Sequence, residues 1–378
     1  MDFLSSFLGG SLGYLLPFLF VLTLVVFVHE MGHFLVARWC GVKVLAFSVG
    51  FGPELLGRND KKGTRWKLCA IPLGGYVKFS GDENAASLPD RNALQNLSPE
   101  ETSGAFHLKN VWQRAAVVAA GPFANFILAI AIFAMLLGIF GKVETLPQVD
   151  AVAPDSPAQV AGIQPGDIVL SIDGKQIDSF SDLQRIVSAS ADISLNLELE
   201  RGAQTVDIVV TPQKKEVEDR FGNKQKIGLL GISRNMNADE RIIKTYGPVE
   251  ALQAGVQETW FVVSRTGSYI GDLFMGREDV DQLGGPIRVA QISGQVAEYG
   301  IVPLLNLAAV LSVSIGLLNL LPIPMLDGGH LLYYFAEMVR GKPLSERIQE
   351  YGFRVGVTLV LLLMVFATWN DLRHLFNS

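Results

Sequence analysis

A chain of 378 residues can hold two or three folded units. With 49% hydrophobic and only 18% charged residues and a mean hydropathy of +0.32, it does not read as an ordinary soluble domain; the mixture fits a polytopic membrane protein with a sizeable polar insert. The net charge of −6 argues against a nucleic-acid partner.

Met1 to Pro17 holds no Lys or Arg, so the positive start of a cleavable signal peptide is missing. An almost wholly apolar run from Leu15 to Val28 continues through His29-Glu30-Met31-Gly32-His33 into Phe34-Leu35-Val36-Ala37. Residues 1–37 therefore read as a first transmembrane helix, its apolar span running from about Tyr14 to Ala37, roughly 36 Å. On a helix His29 and His33 stand one turn apart and project from one face. Two imidazoles so placed can hold one metal ion, and Glu30 between them can take a proton from water that the ion activates. This is the H-E-x-x-H pattern of zinc proteases. Ionisable groups at membrane depth are costly and default to a functional reading.

Arg38, Lys43, Arg58, Lys61, Lys62, Arg65 and Lys67 follow, which places 38–114 in the cytoplasm and the N-terminus outside. Val42 to Val49 alternates weakly, Gly50-Phe51-Gly52-Pro53 punctuates it, and Trp66 to Ile71 and Gly75 to Phe79 read as further short strands. The composition fits hairpins that dip toward the membrane beside the metal site, and equally a hairpin of structural use only. Cys40 and Cys69 lack metal-ligand spacing and are expected as reduced thiols. Residues 81–104 read as a polar loop, and His107 as a surface or interfacial histidine, not a ligand. A second span covers 115–140; Gly121-Pro122 and Asn125 near its start suit close helix contact.

The polar insert, 141–300, follows an inside-to-outside span and so lies outside. Ser156 to Ile163 predicts a short helix with a Ser cap and Pro in its first turn. Asp167 to Ile172 predicts a strand, Asp173-Gly174 a tight turn, and Ser181 to Ser188 a second helix. Ile193 to Arg201, Thr205 to Thr211 and Ile227 to Ile232 read as strands. In 246–300 the apolar spacing of Val249, Leu252, Val256, Trp260 and Val263 predicts an amphipathic helix over 247–275, lying on the outer membrane surface, with a second over Pro286 to Glu298.

Residues 301–336 carry a third span, 301–321, with Asn306, Ser312, Ser314 and Asn319 favouring a protein-facing helix. Two prolines, Pro322 and Pro324, break it and push the chain extended. Irregular backbone at that depth survives only where it is buried in protein or lines a wet cavity. Asp327 then stands on the same side as His29 and His33. Two His, one carboxylate and an open fourth position make a catalytic zinc site. His330 competes for the third place; Gly328 and Gly329, which would let the backbone turn the carboxylate inward, favour Asp327, but spacing leaves both open. A fourth span within 351–370, from about Val355 to Trp369, puts the C-terminus outside, with His374 idle in the tail.

H-E-M-G-H at 29–33 and N-x-x-P-x-P-x-x-D-G-G-H at 319–330 resemble the site-2 protease family of intramembrane zinc metalloproteases, closest to the group of the bacterial regulator of sigma-E protease. G-F-G-P at 50–53, G-G-Y-V-K at 74–78 and G-P-x-x-N at 121–125 resemble the same group. S-P-A-x-x-A-G-I-x-x-G-D-I-V-L-x-I-D-G-K-x-I at 156–177 resembles a PDZ domain of the permuted bacterial kind, covering 146–233. Such domains bind extended peptides by β-augmentation. The fold implied is a polytopic α-helical membrane protein of four transmembrane helices, with membrane-associated β-hairpins and an inserted α+β PDZ domain. The resemblance implies a protease of the bacterial inner membrane, with Zn2+ on His29, His33 and Asp327 and Glu30 as catalytic base. It implies that Asn319 holds the substrate backbone and that the strand Gly74, Gly75, Tyr76, Val77 and Lys78 pairs with it. The implied substrates are single-span proteins already trimmed once, such as anti-sigma factors, and signal-peptide remnants. The other partners are the lipid bilayer and a peptide ligand of the PDZ domain. The best-known proteobacterial members carry two tandem PDZ domains, and this chain has room for one. A membrane-anchored PDZ adaptor with a vestigial metal site is the non-enzymatic rival; a metal transporter fits less well, since no inverted repeat is evident.

Overall fold

The computed structural model describes residues 2–82, 102, 104–218, 224–234, 242–276 and 284–377. The polar loop expected at 81–104 falls almost wholly outside the described residues. In chain order the elements begin α1 (Asp2–Trp39), β1 (Val44–Asn59), β2 (Arg65–Phe79), α2 (Val111–Phe140), β3 (Lys142–Glu144) and β4 (Ala151–Val152). Next come α3 (Pro157–Ala161), β5 (Ile168–Ile172), β6 (Lys175–Gln176), α4 (Phe180–Ala189), β7 (Leu195–Arg201) and β8 (Gln204–Val210). Then follow β9 (Gln213–Glu218), β10 (Lys224–Leu229), β11 (Ile232–Ser233) and β12 (Ile242–Lys244). The chain closes with α5 (Pro248–Phe274), α6 (Pro286–Ala297), α7 (Ile301–Asn319), α8 (Asp327–Arg340) and α9 (Glu346–Asn377). It divides into two units, 1–136 with 251–378, and 137–250.

Among the described residues four helical stretches are long and apolar enough to cross a membrane: Gly13–Trp39, Val111–Phe140, Ile301–Asn319 and Arg347–Arg373. Helix α9 extends well beyond the span expected at its centre. The residues ahead of that span are polar but continue the helix, with Arg354 and Glu350 paired one turn apart at 2.6 Å. The contact of α1 and α2 depends on small residues. A Cβ on Gly32 would collide with the Ala120 carbonyl and the Ala124 methyl. On the other side of α2, Gly316 of α7 lies against Pro122 and Asn125. Val21, Val25, Ala129, Phe133, Ala308 and Val313 fill the space between these helices.

Instead of several short strands, the segment between α1 and α2 forms two long, bent ones. Residues 46–49 pair with 75–78 on one side and with 65–68 on the other, while 54–59 are matched with 65–69. The sheet therefore runs 75–79, 44–49, 65–69, 54–59, with 75–79 at an edge. Gly50 and Gly52, at φ 89° and 84°, bend β1 between its buried and exposed halves. Phe47, Val77 and Phe79 seat the buried half on Phe34 of α1 and Val117 of α2. Arg38 pairs with Asp60 across the base of the sheet. Partial burial works to raise the Asp60 carboxyl, yet hydrogen bonds from Arg38, Thr64, Lys62 and Trp66 outweigh it and hold it down at about 2.

After Asn319 the prolines end α7 as expected, and α8 starts at Asp327 itself. Gly328 and Gly329 act differently from the expectation. Both are helical, and their missing Cβ atoms let the first turn of α8 rest on the carbonyls of Leu320, Leu321 and Ile323. The left-handed residue that turns the chain is Met325, at φ 93°.

In the second unit an antiparallel sheet of order β6-β5-β7-β8 covers a core of Val169, Leu183, Leu195, Leu197 and Leu199. Ser156 caps α3 and Gly162 closes it in the left-handed conformation. Asp173 and Gly174, both at positive φ, form the turn from β5 to β6. The strand expected over 227–232 is broken at Gly231, φ 79°, into β10 and β11. Beside it lies a groove of about 420 Å³ between β11 and α4. Strand β9, rich in Gln, Lys and Glu, was not expected; it pairs with β10.

Candidate metal centre

His29 and His33 leave α1 on one face, as the one-turn spacing requires, and α8 brings Asp327 to them. His29 Nε2 lies 3.2 Å from His33 Nε2 and 3.2 Å from Asp327 Oδ2; His33 Nε2 lies 3.6 Å from Asp327 Oδ1. Ligands at about 2.0–2.1 Å from a tetrahedral zinc are separated by roughly 3.3 Å, so the triangle has the right edges. Asp327 Oδ2 is buried and makes no hydrogen bond. Two imidazole nitrogens and a carboxylate converging this closely form a donor set that one divalent cation satisfies. Among the described residues this is the one cluster of His, Cys, Asp or Glu able to hold a metal. His33 Nδ1 donates to the Val117 carbonyl at 2.9 Å, which turns its bare Nε2 to the centre.

The cluster opens into a cavity of about 400 Å³. Glu30, Asn319, Gly74, Gly75, Tyr76 and Val77 all line it, and of the substrate-strand residues expected from sequence only Lys78 does not. His330 lines the cavity without joining the three-residue cluster. Glu30 accepts a hydrogen bond from the Val77 backbone N–H. A Cβ on Gly75 would collide with the Ser48 carbonyl of β1 at 2.7 Å and sit 3.2 Å from both Glu30 Cγ and Val26 Cγ1, so glycine fits between β1 and α1. His107, expected at the surface or an interface and not as a ligand, stands outside the three-residue cluster. It is part-buried, with Nε2 2.9 Å from Oδ1 of the buried Asp82.

Residues 17–363 match the description "Peptidase family M50". The chain belongs to peptidase family M50, the site-2 proteases. This M50 chain is a zinc metalloendopeptidase. It is 54% identical over 373 residues to a protein of Rhizobium meliloti named as a zinc metalloprotease, covering 98% of this chain and 100% of that one. It is 41% identical over 387 residues to Metalloprotease MmpA of Caulobacter vibrioides, covering 97% and 96%. A solved PDZ domain of HtrA3, bound to a phage-derived ligand, aligns at 30% identity over 20% of this chain and 83% of its own, with a TM-score of 0.17.

Two features of this M50 site escaped the sequence reading. Gly121 lies where any Cβ would collide with the His33 ring and approach the His29 ring. Asn125, fully buried, reaches His29 Nδ1 with its amide at 3.4 Å. Spacing assigns both to helix contact, and the G-P-x-x-N resemblance at 121–125 carries no role for either. The signal available was an asparagine one turn beyond a Gly-Pro pair in an apolar helix, and only the helix crossing shows what it faces.

Proposed function

We propose that this M50 protease is a multi-pass protein of the bacterial inner membrane that hydrolyses peptide bonds within the transmembrane segments of single-span proteins already trimmed once. Anti-sigma-factor-type proteins and signal-peptide remnants are its substrate class, and its activity belongs to regulated intramembrane proteolysis. The observation that carries the reading is the His29–His33–Asp327 triangle, with Glu30 beside it, set among helices long and apolar enough to span a bilayer. The charge bias puts both termini and the 137–250 unit outside and the metal site toward the cytoplasm.

On this reading His29, His33 and Asp327 hold zinc. Bound there, zinc supplies a Lewis acid for the scissile carbonyl and lowers the pKa of water. Glu30 takes the proton of the attacking water and passes it to the leaving amine nitrogen. A transmembrane helix hides its peptide bonds in its own hydrogen bonds, so the substrate must unwind before it is cut. Asn319 and the edge at Gly74 to Val77 offer partners for the freed backbone. The groove between β11 and α4 is open to an extended peptide, the mode of a PDZ ligand.

The test is cleavage of a trimmed single-span substrate in detergent by wild type and Glu30→Gln, each with and without a zinc chelator. Wild type alone should cut, inside the span, and chelation should abolish it. The glutamine variant should keep its zinc and lose roughly 10²–10⁴-fold in rate. Equal cutting by both proteins overturns the mechanism, and cutting outside the span overturns the intramembrane assignment.

A further inference from the structure

We propose that Asn125 is the positioning residue for His29, its side-chain carbonyl oxygen accepting the Nδ1 hydrogen. The inference rests on His29 being a metal ligand through Nε2. A neutral imidazole carries one N–H and one lone pair. Asn125 Nδ2 lies 3.4 Å from His29 Nδ1, while Asn125 Oδ1 is buried with no hydrogen-bond partner. Were Nδ2 the donor, Nδ1 would be the acceptor and the ring hydrogen would sit on Nε2. That nitrogen faces His33 Nε2 and Asp327 Oδ2, each at 3.2 Å, and a protonated Nε2 cannot bind a metal.

Turning the amide by 180° exchanges oxygen for nitrogen with almost no movement of heavy atoms, and which end faces a neighbour is decided by the hydrogen-bond network. With Oδ1 toward the ring, the buried acceptor gains a donor, and the Nε2 lone pair of His29 turns to the centre. His33 already has this arrangement, its Nδ1 donating to the Val117 carbonyl. Both outer partners then come from α2, eight residues apart, and each fixes one tautomer.

The seat of Asn125 is held from the far side. Its backbone carbonyl accepts from Ser312 Oγ at 2.9 Å, and Gly316, with no side chain, makes room for its Cβ. Helix α7 thus fixes where the residue stands, leaving the amide free to choose its orientation.

Zinc affinity of the full-length protein in detergent, by chelator competition at pH 7, tests this on wild type, Asn125→Leu, Asn125→Asp and His29→Ala. Loss of an outer-shell partner costs about 10- to 100-fold in metal affinity, the loss expected for Asn125→Leu. Asn125→Asp, which can only accept, should stay within about threefold of wild type. The aspartate variant decides the matter even if the leucine variant fails to fold: tenfold or greater loss of zinc there overturns the acceptor role. So does wild-type affinity in Asn125→Leu when His29→Ala has lost its zinc. If His29→Ala itself binds zinc as wild type does, the ligand assignment beneath the inference falls instead.

Discussion

Gly121→Ala puts one methyl group between α2 and the two imidazoles. The added carbon would lie 2.5 Å from His33 Cε1 and 2.9 Å from His29 Cε1. Carbon atoms prefer roughly 3.5–4.0 Å, so the rings must give by about 1 Å. The His33 ring is tied to the Val117 carbonyl at 2.9 Å, and its Nε2 stands 3.2 Å from that of His29. A metal site tolerates about 0.2 Å in each ligand distance, so a shift of this size is felt at the ion. Overpacking costs about 1–3 kcal/mol, equivalent to roughly 5- to 150-fold in zinc affinity if it is expressed there. The comparison is Gly32→Ala, whose methyl would meet the Ala120 carbonyl and Ala124. It wedges the same two helices apart without facing a ring. Chelator competition and thermal melting of both variants should show zinc affinity falling in Gly121→Ala, and stability falling in Gly32→Ala with zinc affinity within about threefold of wild type. Wild-type zinc affinity in Gly121→Ala, or equal losses in the two, would refute the reasoning.

The third ligand is decided by metal content: Asp327→Ala should purify without zinc and His330→Ala with it, and the reverse would reassign the position. In the second unit Asp167 is buried beneath Arg201, with both carboxylate oxygens at 2.8 Å from the guanidinium. Burial acts to raise its carboxyl, but the hydrogen bonds from Arg201 and Gln164 prevail and hold it below the ordinary range. A depressed carboxyl contributes stability that is complete above the unfolded value near 3.9 and drains away as pH falls through the lower folded value. Asp167→Ala should therefore lower the opening free energy of β5, β7 and β8 at pH 7, by about 1–3 kcal/mol for charge-assisted hydrogen bonds left unmade, read by hydrogen exchange of the whole protein. The gap to wild type should narrow below about pH 4; a gap that stays constant from pH 7 to pH 3 would show that the pair is not its source.

What could be read from the sequence was whatever depends on spacing along one element. His29 and His33 share a face because a helix turns every 3.6 residues, and Pro322 and Pro324 must end α7 wherever it lies. The four apolar helices announce themselves by length and composition in the same way. The roles of Gly121 and Asn125 depend instead on where α2 crosses α1, which no local pattern encodes. The double pairing of 46–49 was hidden for a related reason. Two bends at Gly50 and Gly52 decide which segments become neighbours, whereas alternation of side chains reports only which residues share a face. The partner of His107 could not be read from its polar sequence neighbours, since Asp82 comes from just beyond β2.

The edge of the sheet and the carboxylate beside the metal site are not independent parts. Strand backbone groups point alternately to the two sides of the strand. Because the Val77 N–H reaches Glu30, the backbone N–H groups of Gly75 and Val77 face away from β1, while those of Tyr76 and Lys78 turn toward it. On the proposed reading, Gly75 offers an unwound substrate an outward N–H, whereas the next one, roughly 7 Å along, serves Glu30. Pairing would thus be short and would end beside the proton acceptor. A residue larger than glycine at 75 would disturb both at once, because its Cβ would collide with the Ser48 carbonyl of β1 and crowd Glu30 Cγ.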